Sequence, residues 1–93
     1  MKLPVTLTLP SARQTTQALT QALAALPAGG TFSVDASGLT ELDTSALAVL
    51  LQARRDAQAR GLVWQLQGAP AQLRQLAALF GVEALLWPPA ATA

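Results

Sequence analysis

Residues 34–51, with the sequence VDASGLTELDTSALAVLL, decide the fold of this chain. They predict the end of a β-strand, a short loop, and the first turns of an apolar helix that opens at Asp43, Thr44 and Ser45. An acidic residue and two hydroxyls therefore stand where the first backbone N–H groups of a helix lack partners. The same position suits a regulatory modification, because a phosphate on Thr44 would meet the positive end of the helix dipole. These residues are either a helix cap alone or a cap that also carries a function.

Composition predicts one small folded domain. The chain has 93 residues, of which 52% are hydrophobic and 12% charged, so it can bury a core between two layers. We expect residues 1–87 to form this domain and residues 88–93, PPAATA, to form a flexible tail. No apolar run approaches the length of a membrane span, and the N-terminus lacks the features of a signal peptide. With the absence of cysteine, this predicts a cytoplasmic protein without direct membrane insertion.

Three segments have the alternating pattern of half-buried strands. They are residues 5–9, 31–36 and 62–67, in which apolar side chains occupy every second position. A parallel sheet that is covered on both faces has continuous apolar strands instead. We therefore expect one face to be polar and largely open, lined by Thr6, Thr8, Ser33, Asp35, Gln65 and Gln67.

Helices are predicted between and after these strands. We expect Ser11 to cap the first helix, with Gln14 completing a capping box. The second is expected to run from about Asp43 to Arg60, and the third to start at Gly68 and Pro70, with the proline in its first turn. Residues 82–87 are expected to form a last short turn. The apolar stripe of the third helix is expected to comprise Leu73, Leu76, Ala77 and Phe80.

The predicted fold class follows from this order of elements. Short loops and intervening helices imply parallel strands joined by right-handed crossovers. The prediction is a single small α/β domain, β-α-β-α-β-α, with a mostly parallel sheet and helices mainly on one face.

Residue types argue against catalysis. The chain has no cysteine, histidine or tyrosine and a single lysine, so no nucleophile with a positioned base can be assembled, and we predict no catalytic residue, metal site or cofactor. The net charge of +1 is too balanced for a nucleic-acid binder. A pair of carboxylates at Asp35 and Asp43 remains conceivable as an enzyme or small-molecule site, although loop turns and caps explain both residues more simply. The basic cluster in the second helix, Arg54, Arg55 and Arg60, is either a solvated face or a contact for an acidic partner.

The start of the second helix is unusually apolar. Residues 46–51, ALAVLL, carry apolar side chains around the whole circumference of the helix. This pattern has two interpretations. The helix start is buried on most sides, or Ala48 and Leu51 lie in an exposed patch that docks another protein.

Residues 31–86 resemble the STAS domain, the fold of anti-sigma factor antagonists. The resemblance is carried by Asp35-x-Ser37-Gly38-Leu39 after a strand, by Asp43-Thr44-Ser45-x-Leu47, and by the sequence LFGV at residues 79–82. The threonine at position 44 and the LQG-x-P pattern of residues 66–70 look more like the MlaB branch.

The resemblance implies a non-catalytic domain that docks onto a protein. The hydroxyl residue after the loop aspartate is phosphorylated or functionally critical in the family, and this position is Thr44 here. In the MlaB branch the partner is the ATPase of a phospholipid-trafficking ABC transporter, which places the protein at the inner face of the inner membrane through its partner. In the sigma-factor pathway the partner is an anti-sigma kinase. The partner-binding residues implied by these arguments are Asp43, Thr44, Ser45, Ala48 and Leu51.

The chain also departs from the family pattern. We expect it to lack the usual first strand and the Gly-Glu turn before the first helix. Ala46 stands where the family often has glycine, and alanine stiffens the helix start. A stiffer start makes the hydroxyl of Thr44 harder for a kinase to reach.

Overall fold

The computed structural model describes residues 1–87 of the chain; the predicted tail, 88–93, lies outside them. The predicted α/β architecture is confirmed, with one additional short strand, and the short turn expected at residues 82–87 is a four-residue helix. In chain order the elements are β1 (Thr6–Leu7), α1 (Leu9–Ala24), β2 (Thr31–Asp35), β3 (Glu41–Leu42), α2 (Thr44–Ala59), β4 (Val63–Gln67), α3 (Ala71–Leu79) and α4 (Glu83–Leu86).

All strand pairs in the described residues are parallel. β2 pairs with β4 over its whole length, from Thr31 opposite Val63 to Asp35 opposite Gln67. β1 pairs with β3, and Lys2 forms a parallel bridge with Asp35, so the N-terminal segment follows β2 before it reaches β3. The loop predicted between β2 and α2 therefore contains a strand that the sequence pattern did not indicate.

The first strand, β1, is shorter than the predicted residues 5–9, because α1 begins earlier than expected. Thr8 is the N-cap residue and α1 begins at Leu9, so the prediction of Ser11 as the cap is wrong. Ser11 lies in the first turn, where its Oγ accepts a hydrogen bond from the Thr8 N–H at 3.1 Å. The Thr8 N–H therefore has its hydrogen-bond partner within α1, whereas a strand that continued to residue 9 would have placed this donor in the sheet.

The β2–β4 sheet has one buried and one open face, as predicted. Phe32, Val34, Trp64 and Leu66 are all buried. On the opposite face Ser33 Oγ donates a hydrogen bond to Gln65 Oε1 at 2.9 Å, and Gln67 Nε2 donates to the same oxygen at 3.2 Å. Two residues predicted on this polar face lie elsewhere: Thr8 caps α1, and Thr6 lies in β1, which pairs with β3.

Helix α2 lies at the centre of the packing. It contacts α1, β4, α3 and α4, and its Ala46, Leu50, Ala53 and Ala57 side chains are buried. It ends as predicted, with Arg60 as the C-cap residue and Gly61 at a φ of 72°. These contacts bury much of α2, and its exposed side chains, which include Thr44, Ala48 and Arg55, form an outward row.

Candidate functional site

Asp43 joins the first turns of two helices. Its Oδ1 accepts a hydrogen bond from the Ser45 N–H at 2.8 Å, which caps α2 as the sequence predicts. Its Oδ2 accepts from the Leu9 N–H at 3.1 Å, in the first turn of α1. The second contact crosses 34 residues of chain, so no local pattern could have indicated it.

These hydrogen bonds keep Asp43 ionised. Partial desolvation raises the pKa of the Asp43 carboxyl, but the N–H donors of Leu9 and Ser45 outweigh it and hold that pKa below its usual value. The negative charge also lies at the positive end of the α2 dipole. Each oxygen of the Asp43 carboxylate therefore binds the first turn of one helix, and the side chain links α1 to α2.

Thr44 is the first residue of α2 and its side chain is exposed. The cap is made by Asp43, so the hydroxyl of Thr44 is not needed to stabilise the helix start. Ser45 is half-buried and contributes its backbone N–H to the cap. The three residues therefore divide into a cap, Asp43 with Ser45, and an outward-facing hydroxyl on Thr44.

A shallow apolar groove of about 370 Å³ begins at Thr44. One wall is the outward row of α2, and the other is the turn between α3 and α4. We call this the α2 groove; it is lined by Thr44, Leu47, Ala48, Leu51, Phe80 and Val82. Thr44, Ala48 and Leu51 were expected at a docking surface from the sequence, and the fold brings them together here.

Phe80 is the main lining residue that the sequence interpretation missed. It was expected in the buried stripe of α3, but α3 ends at Leu79 and the Phe80 side chain is 56% exposed. Gly81, with a φ of 69°, turns the chain sharply after it. The glycine in the LFGV sequence was the available signal, because a C′ glycine places the preceding residue at the helix end, where the apolar periodicity no longer applies.

The Asp35 loop is held by a hydrogen bond within the loop, from Ser37 to the Asp35 carboxylate. The hydroxyl and the N–H of Ser37 lower the pKa of the Asp35 carboxyl, and the N–H lies 2.8 Å from Asp35 Oδ1. This is the side-chain-to-backbone turn that aspartate commonly forms. Asp35 and Asp43 therefore each have backbone partners of their own, and neither carboxylate needs the other to explain its position.

Parallel strands with one open face, a capped central helix and the Asp35 loop define a STAS-type α/β domain. The family model described as "Mlab, STAS domain" matches residues 5–87. The chain therefore belongs to the STAS domain family, in its MlaB type. A search of curated proteins finds no match.

Membership of the STAS family indicates a non-catalytic interaction domain, since STAS domains are generally not enzymes. Within residues 1–87, no helix has the length and apolarity that a membrane span requires.

Proposed function

We propose that this domain binds and stabilises the ATPase of an MlaB-type phospholipid-trafficking ABC transporter, without catalysis of its own. The α2 groove is the contact surface, and Thr44 lies at its edge. Binding there would hold the domain at the cytoplasmic face of the inner membrane through its partner. The observation that carries the proposal is that an exposed aromatic ring and the predicted residues of α2 share one apolar groove.

The physical basis is the apolar surface that the groove leaves in water. Phe80 is 56% exposed, Leu51 and Val82 are only half-buried, and the buried Leu47 forms part of the lining between them. Covering such surface gains roughly 25 cal/mol per Å² before the costs of association. Ala48 keeps the wall of α2 low, which allows a partner to approach the helix closely. Contiguous exposed apolar side chains of this kind are typical of protein interaction sites.

The direct test is binding of the purified chain to the purified transporter ATPase. Thr44→Glu and Leu51→Arg each place a charge in the α2 groove, and we expect each to weaken binding about tenfold or more, since an uncompensated charge is costly in an apolar contact. Thr20→Glu and Val63→Arg are matched controls at exposed positions outside the groove. Unchanged affinity for both groove variants would show that the surface is wrong.

A second candidate function is that of an anti-sigma factor antagonist controlled at Thr44. The exposed hydroxyl at the N-terminus of α2 favours it, because a phosphate there would lie at the positive end of the helix dipole. The neighbouring Asp43 carboxylate opposes it by charge repulsion. Intact-mass measurement after incubation with an anti-sigma kinase distinguishes the two functions: addition of one phosphate to the wild type and none to Thr44→Ala supports the switch, and no added mass on the wild type contradicts it.

A further inference from the structure

The outward row of α2 continues beyond the groove to a cation. Thr44, Ala48 and Leu51 are followed by Arg55, one turn further on the same face of the helix. At a rise of 1.5 Å per residue, the distance along the axis from Thr44 to Arg55 is about 16 Å. Arg55 is exposed, whereas the neighbouring Arg54 is half-buried and donates a hydrogen bond to Gln58 Oε1 at 3.2 Å. The row therefore begins at the Thr44 hydroxyl, continues through the apolar Ala48 and Leu51, and ends at the exposed guanidinium of Arg55.

The walls of the groove favour a helix as its occupant. A strand binds by pairing with free backbone groups at a sheet edge, but the backbone groups within α2 already bond to one another. The α2 wall of the groove therefore offers side chains for contact and no sheet edge. An amphipathic helix binds such a surface with apolar residues at spacings of three and four. About three turns of helix would cover the row from Thr44 to Arg55.

We propose that the partner element is an amphipathic helix with an apolar face in the α2 groove, packed against Phe80, and a carboxylate placed to pair with Arg55. This inference rests on the proposed function, since the helix would belong to the transporter ATPase. The carboxylate fixes the register and direction of the helix, because a pairing at one end is satisfied in only one alignment. Phe80 supplies the largest apolar contact, and Arg55 supplies specificity.

The experiment measures affinity for the purified ATPase with two variants and one control. Phe80→Ala is expected to weaken binding roughly 30-fold, as for an aromatic side chain central to an interface. Arg55→Glu is expected to weaken it about tenfold at low ionic strength and less at high salt, because the pair lies at the rim. Arg13→Glu makes the same charge change at an exposed position of α1 and is expected to leave affinity unchanged. Thermal unfolding checks that each variant is folded.

Cross-linking identifies the occupant directly. The chain has no cysteine, so Arg55→Cys and Ala48→Cys each give a unique attachment point for a photoactivatable reagent, with Arg13→Cys as control. The expected product joins one helical ATPase segment with an acidic residue near the Arg55 position. Changing that residue to lysine is expected to restore binding of Arg55→Glu.

Three results separate the possible failures. Loss of affinity in Phe80→Ala and Arg55→Glu, with a cross-link to an acidic amphipathic helix, supports the inference. Wild-type binding that Thr44→Glu weakens but that Phe80→Ala and Arg55→Glu leave unchanged overturns the inference and retains the proposed function. Absence of wild-type binding to the ATPase overturns both.

Discussion

Gly68 provides the most exacting test of the packing between the two loops at the end of the β2–β4 sheet. Its φ is 69°, and a Cβ at this position would lie 2.8 Å from the Ser37 Cβ and 3.1 Å from the Ser37 nitrogen. Non-bonded carbons prefer about 3.5–4.0 Å, so Gly68→Ala forces the two loops apart. The loop that follows β2 carries the Asp35 turn, and this close approach holds it against the loop that follows β4.

Gly81 allows the two costs at Gly68 to be separated. It has the same φ of 69°, but a Cβ there would meet no heavy atom within 4 Å. Gly81→Ala therefore reports only the left-handed backbone, at about 1–2 kcal/mol. Gly68→Ala adds a steric term of about 1–3 kcal/mol. We expect total losses in the free energy of unfolding of about 1–2 kcal/mol for Gly81→Ala and 2–5 kcal/mol for Gly68→Ala.

Urea denaturation followed by circular dichroism measures both losses, and thermal unfolding is a second readout at about 4–8 °C per kcal/mol for a domain of this size. Adding Ser37→Gly removes the clashing Cβ, so the double variant Ser37→Gly/Gly68→Ala should recover part of the steric term in a double-mutant cycle. Equal destabilisation by Gly68→Ala and Gly81→Ala would refute the close approach of the loops.

Three further predictions concern the elements around the α2 groove. Hydrogen bonds hold the pKa of the Asp43 carboxyl below its usual value, so the ionised carboxylate stabilises the fold at pH values above its unfolded-state pKa. This stabilisation is lost as the pH falls through the folded-state pKa. We therefore expect Asp43→Asn to be less stable than wild type at neutral pH and to converge with it in acid, as measured by urea midpoints across pH. Trp64→Phe removes a buried hydrogen bond of 2.9 Å from Nε1 to the Leu86 carbonyl oxygen, and we expect a loss of about 1–3 kcal/mol with faster hydrogen exchange in α4. Ala46→Gly removes a fully buried methyl group from the first turn of α2 and should cost about 1–2 kcal/mol in denaturant unfolding, whereas a loss near zero would mean that this turn is not rigid.

The candidate site was partly predictable because the start of α2 has a local signal, the cap residue Asp43. The exposure of Ala48 was one of two interpretations of the apolar residues 46–51, which include no polar side chain to mark an exposed face, and only the packing of α2 decided between them. Phe80 does not follow from a helical period, since it lies where α3 ends and the chain reverses. Its proximity to α2 depends on how two helices distant in sequence pack together.

The sequence by itself determined the elements whose signals are local. Alternation predicted β2, β4 and the open polar face, and caps and glycines predicted the two ends of α2, because backbone hydrogen-bonding groups and side-chain periods act over a few residues. Only the tertiary structure decided the contacts that join distant segments. The β1–β3 pair, the bond from the Leu9 N–H to Asp43 and the placement of Phe80 beside Thr44 all depend on packing around α2, and such packing leaves no periodic trace in the chain. The helix start that opens the candidate site is thus local in origin, and the groove beside it is a product of the whole fold.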